Sequence, residues 1–284
     1  MRGFYNKPMA QVTAGVQPNM LRWARESHGY SIDAVAKKLK RNPDDVKAWE
    51  TGETAPTYAQ LEKLAYEIYH RPLAVFFFPE PPKEPMPQQA FRSLSNTDLG
   101  NLEPDTRYKI RLAMALQSSL KELHDNQNPN PQPIFSQIKL SLEQPIPKQA
   151  KQIREHLKIS IEIQCSWRDD TAALKAWRTA IEEAGIYVFK NTFKQNSISG
   201  FCLLDPQLPI IYLNNSTTKT RQIFSLLHEL AHVLLQTSTV SRIDTPEAQD
   251  DEYSRLEQFC NAFAAEILIP VSTTAFRASV LKNF

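Results

Sequence analysis

The spacing of apolar residues predicts short helices through the first 70 residues of the chain. Glycine or a capping side chain separates each helix from the next, as helix ends require. The predicted helices are Pro18 to His28, Ile32 to Leu39, Pro43 to Thr51, and a fourth from Thr57 to Tyr69. Since the second and third are joined by the short turn 40–42, they have the plan of a helix-turn-helix. We therefore expect an all-helical bundle at the N-terminus.

The later part of the chain combines helical and strand patterns. A helix is predicted over Asp105 to Leu123 and another over Thr171 to Ala184. Short β-branched and aromatic segments follow, at Ile186 to Phe189, Ile198 to Leu204 and Pro209 to Leu213. The last predicted helices are Thr218 to Gln236 and, after a polar loop, Asp251 to Ile269, which ends at Pro270. This order predicts a small α+β domain at the C-terminus.

Prolines indicate where the chain divides. Ten of the 20 prolines fall in the stretches 79–87 and 129–147, both of which we interpret as linkers because proline disfavours helix interiors. The predicted organisation is a helical domain at 1–79, a proline-rich linker at 80–104, a helical connecting region at 105–165 and an α+β domain at 166–284. We therefore expect a multidomain protein of α and α+β classes.

Composition excludes several classes of protein. Hydrophobic residues make up 42% of the chain and charged residues 23%, as in ordinary globular proteins. No stretch is long and apolar enough to predict a membrane span, and the first 20 residues do not resemble a signal peptide. The three cysteines lack metal-site or disulfide spacing. We expect a cytoplasmic protein with no membrane partner.

One motif carries metal chemistry. His228, Glu229 and His232 form an HExxH pattern inside the helix predicted over 218–236. Residues four apart on a helix differ by only about 40° around its axis, so both imidazoles can bind one ion. Neutral imidazoles suit Zn²⁺, and a neighbouring carboxylate can take a proton from water as it attacks a carbonyl. The motif therefore predicts a catalytic zinc site with Glu229 as general base.

A catalytic zinc site needs a third protein ligand, which the last predicted helix can supply. Glu257 is our candidate, and Asn261, one turn later on the same face, could hydrogen-bond the outer nitrogen of a ligating histidine. Asp251, Glu252 and Glu266 are rival ligands that the sequence does not exclude.

Two segments around this motif resemble a known family. The segment RQIFSLLHELAH at 221–232, together with EQFCNAFAAEILIP at 257–270, is similar to the ImmA/IrrE zinc metallopeptidases. The resemblance implies a zincin-like domain, zinc bound by His228, His232 and Glu257, and Glu229 as the base. It also implies a protein substrate, a helix-turn-helix repressor whose cleavage controls stress, phage or mobile-element genes. The donor set leaves Mn²⁺ and Fe²⁺ open as alternatives to zinc.

The segment WETGETAPT at 49–57 resembles the XRE family of DNA-binding domains. Our candidate DNA contacts are Lys40, Arg41, Asn42 and Lys47. Residues 1–80 hold 11 basic and 9 acidic residues, however, and the expected recognition helix opens with Asp44 and Asp45. A helix bundle that binds protein or forms a homodimer is therefore the alternative to DNA binding.

The sequence thus predicts a regulatory zinc endopeptidase with a DNA-binding domain. An extended substrate could pair with an edge of the strand pair 198–204 and 209–213, just before the helix that carries HExxH. The alternative is a non-catalytic XRE-type regulator or antitoxin with a structural or sensory metal site. The glutamate of HExxH favours the enzyme, because a structural site needs no base beside its ion.

Overall fold

The computed structural model describes residues 12–83, 102–195, 197–237, 240–242 and 251–271, and the side chains of 240–242, 251 and 252 are not described. These residues form two compact units. The first contains residues 12–83 and 102–108, and the second contains the described residues from 109 onward. Of the predicted linker 80–104, residues 84–101 lie outside the described part of the chain.

The first unit is helical, as predicted. Its helices are α1 (Pro18–His28), α2 (Ile32–Leu39), α3 (Pro43–Thr51) and α4 (Tyr58–Glu62), then a π-helical segment, Lys63–Ile68, and a 3₁₀ turn, Leu73–Phe77. The first three agree with the sequence prediction at both ends. The predicted fourth helix begins after Thr57, as expected, but changes to π winding at Lys63.

Local capping explains where these helices begin and end. Ser31 and Thr57 accept hydrogen bonds from the first-turn amides of α2 and α4, and Gly29 ends α1 at a φ of 74°, which favours glycine. Between α1 and α3, Arg25 Nε donates to Glu50 Oε1 at 2.7 Å, and Arg25 Nη2 donates to Glu50 Oε2 at 2.8 Å. This bidentate ion pair links α1 to α3 next to the apolar core of the first unit.

The second unit combines helices with one sheet. Helix α5 (Pro104–Leu123) begins in the first unit, and its residues from Lys109 are grouped with the second. The other helices are α6 (Ile134–Gln137), α7 (Ile146–His156), α8 (Ile161–Cys165), α9 (Asp170–Glu183), α10 (Lys219–Leu235) and α11 (Asp251–Leu268). The strands are β1 (Tyr187–Asn191), β2 (Ile198–Leu203), β3 (Ile210–Asn214) and β4 (Val240–Arg242).

The sheet has the order β1-β3-β2-β4. Strand β1 is parallel to β3, and β2 is antiparallel to both β3 and β4. The three strands predicted from the sequence are present, so the α+β prediction for this part of the chain is confirmed. Strand β4 was not predicted. It lies in the segment after α10, which we expected to be a loop.

The second proline-rich stretch is not simply a linker, which corrects the prediction for 129–147. Ile134, Phe135 and Ile138 belong to the same hydrophobic core as the sheet and α10. Pro133 directly precedes α6, and Pro147 lies in the first turn of α7, where a missing amide hydrogen costs nothing. These prolines begin helices instead of interrupting them. In the described residues, no helix is long and apolar enough to cross a membrane.

Candidate metal centre

Helix α10 carries the HExxH residues in a buried setting. Thr218 caps its N-terminus by accepting a hydrogen bond from the Arg221 amide. Apolar residues on most sides of the helix pack into the core, so His228 is only 4% exposed and His232 and Glu229 are fully buried. Buried imidazoles and carboxylates are costly unless they are paired or bound to a metal.

Three donor groups meet at one point between α10 and α11. The Nε2 atoms of His228 and His232 lie 3.0 Å apart. Glu257, on α11, places Oε2 3.3 Å from His228 Nε2 and Oε1 3.2 Å from His232 Nε2. In the described part of the chain, these three side chains form the cluster of His, Cys, Asp or Glu residues whose donor atoms lie close enough together to bind one ion.

The spacing of these donors fits a small metal ion. Zn²⁺ binds nitrogen and oxygen at about 2.0–2.1 Å in tetrahedral geometry, so its ligand atoms lie roughly 3.3 Å from one another. The observed separations of 3.0, 3.2 and 3.3 Å are close to that requirement. Two imidazoles and one carboxylate are also a donor set that suits zinc better than Ca²⁺ or Mg²⁺, which prefer oxygen ligands.

Of the rival third ligands, Glu266 is not part of this cluster. Glu266 accepts a hydrogen bond from the Val271 amide at 3.0 Å, near the end of α11. Asp251 and Glu252 lie at the start of α11, and their side chains are outside the described atoms. The geometry therefore favours Glu257 among the described candidates.

The charges of the three residues depend on one another. Burial alone would lower the pKa of His228, but hydrogen bonds and charge from Glu257, together with the charge of Glu229, outweigh it and raise that pKa above its ordinary value. Burial alone would raise the pKa of Glu257, yet the two imidazoles lower it to about 2. Glu257 is therefore a carboxylate at any physiological pH, which is the form that binds a cation.

The outer nitrogens of both histidines also have partners. His228 Nδ1 lies 3.1 Å from Asn261 Oδ1, the contact that the sequence suggested for Asn261. His232 Nδ1 lies 3.3 Å from Thr237 Oγ1 and 3.6 Å from Cys260 Sγ. Sequence reasoning did not find Thr237, because its position depends on how the chain turns after α10.

Glu229 lies on the side of α10 that faces β2. A Cβ atom built on Gly200, in β2, would be 3.7 Å from Glu229 Cγ. Glu229 is also close enough for its charge to raise the pKa of His228. A carboxylate is thus held beside the three candidate ligands without being one of the converging donors.

The candidate DNA contacts lie elsewhere, in the first unit. Lys40, Arg41 and Asn42 form the exposed turn between α2 and α3, and Lys47 is exposed on α3. Asn42 Oδ1 accepts a hydrogen bond from the Asp44 amide and so caps α3. These four residues are close in sequence and exposed to solvent.

The site is of the HExxH type, with two histidines from one helix and a glutamate from the next. Residues 181–283 match the peptidase family described as the IrrE N-terminal-like domain, and this match supports a protein of the metallopeptidase family. The match supports the ImmA/IrrE part of the resemblance. It does not reach the first unit, so the XRE resemblance stays a prediction. The chain matches none of the curated proteins or solved structures with which it was compared.

Proposed function

We propose that the protein is a regulatory zinc endopeptidase that cleaves a transcriptional repressor or a related regulator. The observation that supports this most directly is the meeting of His228 Nε2, His232 Nε2 and the Glu257 carboxylate within 3.3 Å, with Glu229 beside them. The match of residues 181–283 to a peptidase family supports the same function.

The roles of the residues follow from their positions. His228, His232 and Glu257 would hold the ion, and Asn261 would keep Nε2 of His228 directed at it. When bound there, zinc would supply a water whose pKa is lowered toward about 7 and a positive charge that polarises a peptide carbonyl. Glu229 accepts the proton of the attacking water and passes it to the leaving amine.

The strand pair that we expected to offer a substrate edge, β2 and β3, lies inside the sheet. Gly200 and Phe201 of β2 already pair with Ser241 and Val240 of β4. In the described sheet, the outer strand on the side nearest Glu229 is therefore β4. An extended substrate would add to the free edge of β4 by main-chain hydrogen bonds.

The test compares the full-length protein with Glu229→Gln on candidate helix-turn-helix repressors. We expect the wild type to cut one of them, and the variant to keep its zinc and fold but to lose cleavage. Glu122→Gln, which changes an exposed carboxylate on α5, is the matched control and should cleave normally. If wild type and Glu229→Gln behave alike in every assay, the metal is structural or sensory, and the non-catalytic regulator is the correct function.

We further propose that the first unit binds DNA through a helix-turn-helix formed by α2 and α3. The exposed turn 40–42 and Lys47 place positive charge where these helices meet, which supports the proposal. The acidic start of α3 weakens the proposal, because Asp44 is exposed beside the same turn.

A mobility-shift assay with the gene's own upstream DNA, across a series of salt concentrations, tests whether the first unit binds DNA. Binding that falls steeply with salt supports it, and a flat response favours a protein-binding bundle.

A further inference from the structure

The outer nitrogen of His232 has a partner from the segment that follows α10. We propose that Thr237 is a positioning residue: its hydroxyl orients the His232 imidazole and so sets the affinity of the centre for its metal ion. This inference rests on the proposed function, since it assumes that His232 binds the ion through Nε2.

The two nitrogens of His232 face different groups. Nε2 lies 3.2 Å from Glu257 Oε1 and 3.0 Å from His228 Nε2, whereas Nδ1 lies 3.3 Å from Thr237 Oγ1. When Nε2 gives its lone pair to a metal, the ring proton must be on Nδ1, which then donates a hydrogen bond. Thr237 Oγ1 is the oxygen placed to accept that bond. The contact therefore fixes both the tautomer and the rotation of the ring.

The backbone holds Thr237 in place for this contact. Gln236 ends α10 with a φ of 60°, which turns the chain back toward the last turn of the helix. The Thr237 amide then donates to the His232 carbonyl at 2.9 Å. Its own carbonyl accepts from Cys202 Sγ, on β2, at 3.8 Å. The residue that contacts His232 Nδ1 is therefore held in place by the C-terminal end of α10, the same helix that carries His232.

The two ligating histidines are supported in different ways. His228 donates to an amide oxygen of Asn261, which comes from α11. On the Nδ1 side of His232, α11 supplies the thiol of Cys260, 3.6 Å from Nδ1. Sulfur is a weak acceptor, so we assign the directional hydrogen bond to the hydroxyl of Thr237 and a packing role to Cys260.

The experiment measures zinc affinity of the full-length protein by competition with a chelating dye. Thr237→Val keeps the β-branched shape but removes the hydroxyl, and we expect it to weaken zinc binding by about 10- to 100-fold. Thr237→Ser keeps the hydroxyl and should bind nearly as the wild type does. Thr220→Val, near the N-terminal end of α10, is the matched control and should leave affinity unchanged. The absorption spectrum of the Co²⁺-loaded protein should change in Thr237→Val alone, because the orientation of one ligand differs.

The outcomes separate this inference from the proposed function. If the wild type takes up no stoichiometric zinc, the proposed function fails. If the wild type binds zinc and Thr237→Val binds it equally well, the role of Thr237 is refuted. If Thr237→Val and Thr237→Ser lose affinity to the same extent, the hydroxyl is not the cause, and the inference is again refuted.

Discussion

Gly200 offers a direct test of how tightly β2 packs against its neighbouring strand β3 and against α10. A Cβ atom at this position would lie 3.0 Å from the Tyr212 carbonyl oxygen and 3.3 Å from Leu213 Cδ2. The first distance is shorter than carbon and oxygen normally allow, and the oxygen belongs to the backbone of β3, which cannot move by a simple side-chain rotation. We therefore expect Gly200→Ala to destabilise the second unit.

The size of the effect follows from two opposing contributions. Alanine is favoured over glycine within a strand by roughly 0.5–1 kcal/mol because glycine loses more backbone entropy. Adding a methyl group to a filled core costs about 1–3 kcal/mol. The tight contact is with the backbone, so we expect the cost to prevail, with a net loss of about 1–2 kcal/mol. For a unit of this size, that loss lowers the melting temperature by roughly 3–6 °C.

Differential scanning calorimetry of the full-length protein is the appropriate assay, because the two units can unfold in separate transitions. The transition of the second unit should move to lower temperature, and that of the first should stay in place as an internal control. Glu229 Cγ lies at an ordinary contact distance of 3.7 Å, so zinc uptake should persist. An unchanged or higher melting temperature for the second unit would refute the packing described for β2.

Three further predictions concern the two units. Zinc affinity should weaken as the pH falls, starting above the ordinary pKa of histidine, because the raised pKa of His228 lets protons compete with the metal there. Dye competition from pH 8 to pH 5 should show a loss of about tenfold per pH unit for each histidine that must lose a proton, and a flat profile would contradict this. Glu50→Ala should destabilise the first unit by about 3 kcal/mol in urea unfolding, since it removes the buried carboxylate that pairs with Arg25 and leaves only the exposed Glu26 beside it. A loss below about 1 kcal/mol would show the pair to be unimportant. If the first unit binds DNA, Lys47→Glu should weaken binding to all sequences and make it less sensitive to salt, whereas unchanged binding would remove α3 from the interface.

Local signals made most of the helices predictable. Pro18 to His28 ends at a glycine with positive φ, and Ser31 and Asn42 each accept a hydrogen bond from an amide in the next helix. Such caps involve residues within three or four positions, so they can be recognised from sequence. HExxH is equally local, which explains why His228, Glu229 and His232 could be proposed before the fold was known.

Features that depend on distant contacts, or on an unusual backbone conformation, were not predictable. Strand β4 exists because it pairs with β2, some 40 residues earlier in the chain. Thr237 reaches His232 only because Gln236 adopts a left-handed conformation, which its side chain does not require. The proline-rich stretch 129–147 was misjudged because proline is compatible with the first turn of a helix, and the apolar residues around it could be recognised as core only in three dimensions.

The most direct test of the account is the metal itself. Protein purified without chelators should contain one zinc ion per chain by mass spectrometry, and crystals should give one anomalous peak at the zinc edge, in contact with His228, His232 and Glu257. Protein free of metal after incubation with zinc, or a peak away from these three side chains, would contradict the central claim.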